Sequence, residues 1–192
     1  MPVSALRFDV MRNNSRIGQH VIKFDQDGDR LIATIKVEIA VGFGPITLFR
    51  YLHKAREIWQ NGCFLSLESE TDENGKPFRV RAARTGDDVV IGSSVAKQMV
   101  LAPDAIPLTH WNNLCVARPL FNPQDGQPMP AKVAVHGEEP VLLSDGKKVR
   151  ATRYSLMLKP VLDDWYDSSG VWTALRTRGS DGSIITYRRC GE

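Results

Sequence analysis

His53 and Glu57 are spaced to lie on one face of an extended segment, and both side chain types can move a proton near neutral pH when their surroundings are right. From Thr47 to Trp59 the odd positions carry Phe49, Tyr51, His53, Ala55, Glu57 and Trp59. The even positions carry Leu48, Arg50, Leu52, Lys54, Arg56 and Ile58. Strand side chains alternate between faces, so one face holds aromatics with a His and a Glu, and the other holds most of the positive charge. Four strand residues span roughly 13 Å, too far for a direct hydrogen bond, so any partner must come from a neighbouring strand. Ser69 opposite His53 would make a Ser–His pair able to activate a nucleophile. No GxSxG elbow accompanies it, and two polar groups satisfying each other on a sheet face explain the same residues.

Two other stretches carry chemistry by type. His110-Trp111-Asn112-Asn113 interrupts the strand pattern, where function tends to collect on loops. It reads either as a lid whose Trp111 contacts a ligand or as a plug whose Trp111 fills the core. Asp163-Asp164-Trp165-Tyr166-Asp167 gathers three carboxylates beside two aromatics, and Asp163 and Asp167 could act as acid and base on a sugar. A strand ending in the Ser168-Ser169-Gly170 turn accounts for them equally. His20, His53, His110 and His136 have no paired metal spacing, so no metal is expected. No Gly-rich phosphate loop follows a strand, so no nucleotide or other cofactor is expected either.

The elements that must position these groups are strands almost throughout. Leu31 to Val41 alternates cleanly, and the segments Leu6–Met11, Ile17–Phe24, Cys63–Thr71 and Phe78–Arg84 flank it and the Thr47–Trp59 strand. Further strands are expected at 89–91, 95–101, 131–136, 141–144, 148–158, 161–166, 171–178 and 184–189. One short helix is expected within 109–115. Gly42-Phe43-Gly44-Pro45 breaks the chain before the Thr47 strand. Gln60-Asn61-Gly62 turns that strand into the next, and both a two-residue Asn-Gly turn and a three-residue turn fit. The three-residue form sets His53 opposite Ser69 and groups Glu68 and Glu70 with the Arg and Lys face, and is preferred for that charge pairing. About a dozen strands at short spacing imply one all-β domain over residues 1–192, an antiparallel meander curled into an open or closed barrel.

Composition narrows the function classes. The 192 residues are 42% hydrophobic, enough for a sizeable core, and a net charge of +3 is too small to argue for nucleic acid. Three cysteines without CxxC spacing argue against a disulfide framework or a zinc cluster. No apolar run is long enough for a transmembrane helix, and the residues Met1 to Leu6 lack the pattern of a signal peptide.

The order of features resembles a bacterial family of unknown function, the DUF6134 proteins, which are similar in appearance to the DUF3108 group. The matching residues are Asn14 to Gly18, Asp27 to Leu31, Arg50-Tyr51 with His53, and Glu57-Ile58-Trp59 with Gly62. They continue through Ser69-Glu70-Thr71, Asn74-Gly75-Lys76, Thr109 to Asn112, Gln124-Asp125-Gly126, and Asp164 to Asp167 with Gly170. The resemblance implies an exported, curved β-sheet protein, similar in outline to open barrels of the lipoprotein-carrier type, which hold a lipid. By that resemblance the protein is periplasmic if a leader has been removed; a chain complete as written would instead be cytoplasmic, and the compartment is open between the two.

Three functions follow as expectations. The first is binding or carriage of an apolar or amphiphilic small molecule, with Tyr51, His53, Glu57, Trp59, Leu65, Leu67 and Ser69 as wall and Trp111 with Asn112 as lid. The second is a cofactor-free enzyme in the same cavity with His53 and Glu57 as acid and base. The third is an envelope scaffold that uses its sheet edges for partners. Oligomeric state is open on all three.

Overall fold

The computed structural model describes residues 4–43 and 46–191, so the expectations at Met1 to Val3 and at the Gly44-Pro45 break lie outside the described residues. The first eight strands are β1 (Ala5–Arg12), β2 (Ser15–Asp27), β3 (Arg30–Phe43), β4 (Ile46–Gln60), β5 (Cys63–Glu73), β6 (Lys76–Thr85), β7 (Asp88–Ser93) and β8 (Met99–Leu101). Three two-residue strands follow, β9 (Ile106–Pro107), β10 (Leu120–Phe121) and β11 (Pro128–Met129), with a 3-10 turn at Asn113–Val116 between the first two. The chain then forms β12 (Val133–Leu142), β13 (Lys148–Leu156), β14 (Leu162–Tyr166), β15 (Trp172–Arg178) and β16 (Ile184–Arg189).

Thirteen strands make one antiparallel sheet in the order β12-β13-β14-β15-β16-β1-β2-β3-β4-β5-β6-β7-β8. The fold is all-β, as the alternation and turn spacing lead one to expect. The meander wraps, because β16 hydrogen-bonds to β1 in the middle of the sheet, with Phe8 opposite Arg189 and Val10 opposite Tyr187. Its outer strands, β8 and β12, are not paired with each other among the described residues, so the sheet is open. The small sheet is not part of the meander, and its β9–β10 pair is parallel.

The stretch between β8 and β12 folds back against the inner face. Ile106, Leu108, Cys115, Leu120 and Phe121 are buried in one cluster with Phe8, Ile22, Ile35, Trp59, Leu67 and Trp172 from the large sheet. This plug supplies the second apolar layer that a one-sided sheet needs. The outer face of β4, β5 and β6 carries the expected charge ladder, with Arg56 opposite Glu68 and Lys54 opposite Glu70. Arg79 pairs with Glu70 at 3.3 Å and Arg81 with Glu68 at 3.6 Å.

Four local expectations are corrected. The 60–63 connection is the two-residue Asn61-Gly62 turn, both residues at positive φ (50° and 75°), with Gln60 opposite Cys63. A bulge then sets Trp59 opposite Phe64 and Ile58 opposite Ser66, leaving Leu65 as the extra residue. Parity is thereby kept but register moves by two, and His53 faces Thr71 rather than Ser69. The expected helix at 109–115 is a single 3-10 turn, because His110 takes positive φ (57°) and Asn112 is extended, capping the turn by accepting from the Leu114 N–H at 3.1 Å. Strands expected at 131–136 and 141–144 form one bulged strand, β12. The strand expected at 95–101 is reduced to β8. At Gly18, an added Cβ would lie 2.0 Å from the Glu38 carbonyl oxygen, so only glycine lets β2 approach β3 there.

Candidate functional site

The inward positions of β2, β3 and β4 line a cleft of about 820 Å³. Its more exposed end is formed by the half-exposed Ile17, Ile39, Val41, Phe49 and Ile185, with Leu48 67% exposed at the rim, and the charged Arg12, Arg178 and Asp181 also line it. Its inner end holds polar side chains that are almost wholly buried: His20, His53, Glu57 and Thr109, none more than 5% exposed. His20 lies opposite Val37, and Val37 lies opposite His53, so the two imidazoles share a level of the sheet two strands apart, roughly 10 Å.

Each polar group has a distinct environment. The His53 Nδ1 is 2.8 Å from the Thr71 hydroxyl, and burial depresses its pKa to about 4, so the ring is neutral. Glu57 Oε2 accepts from the Trp59 indole at 2.9 Å and the Trp111 indole at 3.2 Å, while Oε1 has no hydrogen-bond partner. Burial pushes this carboxyl up to about 7 against the pull of those donors. The Thr109 hydroxyl stands close enough to the carboxyl to pull its pKa down alongside the indoles, yet its geometry falls short of a hydrogen bond. His20 is walled by the rings of Phe8, Trp172 and Tyr187, and neither ring nitrogen is bonded. Burial holds it well below the ordinary imidazole pKa.

His110 and Asp164 form a pair that crosses the molecule. His110 Nδ1 is 2.9 Å from Asp164 Oδ2, the Trp172 indole donates to Asp164 Oδ1 at 2.9 Å, and the His110 ring stacks on Trp172 at 5.2 Å. The Tyr166 hydroxyl donates to the His110 carbonyl at 2.7 Å. His20 and His110 thus rest on the same Trp172 ring system, which ties the sheet wall to the plug.

Of the wall and lid residues expected from sequence, Tyr51, His53 and Glu57 line this cleft. Trp59, Trp111 and Asn112 line a separate hollow of about 290 Å³, and the two indoles reach the cleft only through Glu57. Trp111 packs edge-on against Trp59 and Phe24, which matches the plug alternative. Leu67 is buried in the core, Leu65 sits half-buried at the bulge, and Ser69 donates to the Pro123 carbonyl at 2.5 Å. Asp163 and Asp167 are not a free carboxylate pair. Asp163 is held by Ser155 and by Arg176 at 2.7 Å, while Asp167 caps its own turn and meets Arg189 at 3.3 Å. Among the described residues no cluster of three His, Cys, Asp or Glu could hold a metal. Sequence reasoning passed over His20 and the His110–Asp164 pair. His20 had a usable signal, being in phase with Ile22 and Phe24 on β2.

The fold and cleft define the class as β-barrel-like, an open sheet curled around a partly filled interior. The chain belongs to the family described as a domain of unknown function, DUF6134, whose profile matches residues 8–190. No curated protein matches it. A solved structure from Brucella abortus, titled a beta-barrel-like protein of domain of unknown function DUF1849, is similar with a TM-score of 0.66 at 10% identity, over 96% of this chain and 94% of that one. At that identity the likeness is one of fold alone.

Proposed function

We propose that this protein binds an apolar or amphiphilic small molecule in the β2–β3–β4 cleft and does not transform it. The observation that carries the reading is the cleft itself: about 820 Å³, with aliphatic and aromatic side chains toward its mouth and a few buried polar groups at its inner end. That is the size and composition of ligand sites generally. Among the described residues no helix is long and apolar enough to cross a membrane. Native mass spectrometry of gently purified protein, followed by denaturing analysis of what it releases, tests the reading. A released amphiphile at one per chain, or saturable uptake of a neutral apolar dye, is expected; an empty chain that takes up no dye ends it.

A second reading has one observation in its favour, the Glu57 carboxyl raised to about 7, a value suited to general acid–base work. In it His53 and Glu57 act on a small hydrophobic substrate without a cofactor. The two are not bonded to each other, and each is already engaged elsewhere, by Thr71 and by the two indoles. A rate lost in both His53→Ala and Glu57→Gln would favour it, and unchanged rates remove it.

A further inference from the structure

Four buried polar atoms on three residues around this one cleft lack a hydrogen-bond partner. They are both ring nitrogens of His20, Oε1 of Glu57 and the Thr109 hydroxyl, on residues 5%, 1% and 5% exposed. Buried polar groups are almost always bonded, so a set of orphans lining a cavity marks what the cavity takes. Resting on the binding reading above, we propose that the cleft takes an amphiphile with an uncharged, hydroxyl-bearing head, a monoglyceride or long-chain alcohol, inserted head first with its chain toward the mouth.

The polarity of the cleft fixes the orientation. Ile39, Val41, Leu48 and Phe49 stand at the mouth and the orphans at the inner end, so a chain left at the inner end would strand them. The charges fix the head. No lysine lines the cleft, and its two arginines are Arg12 and Arg178, with Arg12 engaged by Asp181 and Ser183 and Arg178 reaching the Gly182 carbonyl. Beside the inner end stand the carboxyls of Glu57 and Asp164, so a carboxylate or phosphate head meets negative charge and no cation of fixed charge. A cationic head lacking N–H groups could not satisfy the imidazole or threonine. Asp164 is already spent on His110 and Trp172. A hydroxyl both donates and accepts, which matches a neutral imidazole, a threonine and a carboxyl whichever way their protons lie.

The test is calorimetric titration of the intact chain with four probes: 1-monolauroylglycerol, laurate, dodecyltrimethylammonium and the neutral dye N-phenyl-1-naphthylamine. Monolauroylglycerol is expected to bind at least about tenfold tighter than either charged probe, the worth of one or two hydrogen bonds. Laurate or the ammonium binding as tightly as the glyceride overturns the proposal while leaving the binding reading intact if the dye binds. No binding of dye or any lipid overturns both. Thr109→Val is expected to cut the glyceride-over-laurate ratio by about tenfold. Glu57→Gln is expected to strengthen laurate, a gain that a damaged fold cannot imitate. An unchanged ratio in Thr109→Val and unchanged laurate in Glu57→Gln likewise overturn it.

Discussion

At the scale of single residues, Glu57 and the histidines pull the pH dependence of stability in opposite directions. The folded chain holds the Glu57 proton more tightly than the unfolded chain does, with a pKa near 7 against 4.5. Its stabilisation is complete below pH 4.5 and is lost as pH rises through 7, by about 3 kcal/mol for a group this buried. His53 is the reverse, about 4 in the folded chain against 6.5, so its contribution is complete above pH 6.5 and is lost as pH falls toward 4. His20 has the same sign as His53. From pH 4.5 to 6.5 the effects oppose, and above 7 both are essentially complete, so the Glu57 contribution is read as the difference between wild type and Glu57→Gln. Urea unfolding measured from pH 4.5 to 8.5 should show Glu57→Gln gaining stability relative to the wild type as pH rises from 4.5 to 7, by about 3 kcal/mol in all, with little further gain above that. A variant that tracks the wild type at every pH sinks this account. The alternation of β4 made Tyr51, His53 and Glu57 readable as one face, because a period of two leaves no other choice once the strand is known. The His110–Asp164 pair was not readable, since 54 residues separate partners brought together only by the plug closing on β14.

At the scale of elements, the plug is held to the sheet by a few specific polar contacts beside its apolar ones. Ser69 donates to the Pro123 carbonyl at 2.5 Å and Ser93 to the Asp125 carbonyl at 2.7 Å, while Gln124 bridges Tyr51 and Glu73 at 3.2 Å and 2.8 Å. Removing both hydroxyls in Ser69→Ala with Ser93→Ala should cost about 2 kcal/mol, at about 1 kcal/mol per hydrogen bond. Amide exchange should speed first at residues 122–127 and leave β3 protected up to the global opening limit. Equal acceleration in β3 and the loop would mean that the plug opens only with the whole fold. The long strands β1 to β6 were legible because each alternates over many residues. The plug was not, because Ile106–Pro107, Leu120–Phe121 and Pro128–Met129 are too short to show any period. The bulge at Trp59 was hidden for a different reason: Phe64 and Leu65 are both apolar, and nothing in the sequence says which of them turns inward.

At the scale of the whole molecule, the pairing of β16 with β1 places both ends of the described chain in mid-sheet and leaves β8 and β12 as the edges. An open edge offers unpaired backbone groups to any other strand, and natural sheets blunt such edges by shortness, bulges, charge and proline. Here β8 is three residues long. β12 carries a bulge between Val135 and Glu138, the exposed Glu138 paired with Arg150 at 3.0 Å, and Pro140, which has no N–H to offer. Those devices sit beside Val135 and Leu142, 67% and 39% exposed, which would otherwise make this edge a pairing site. Replacing Glu138 and Pro140 together by valine should therefore restore a donor, remove a charge and turn β12 into a strand able to recruit a second copy. Size-exclusion chromatography across a concentration series should shift the double variant, relative to the wild type, toward larger species as concentration rises. Matching elution at every concentration would show that the shortness of β8 and the β12 bulge suffice to protect the edges without Glu138 or Pro140.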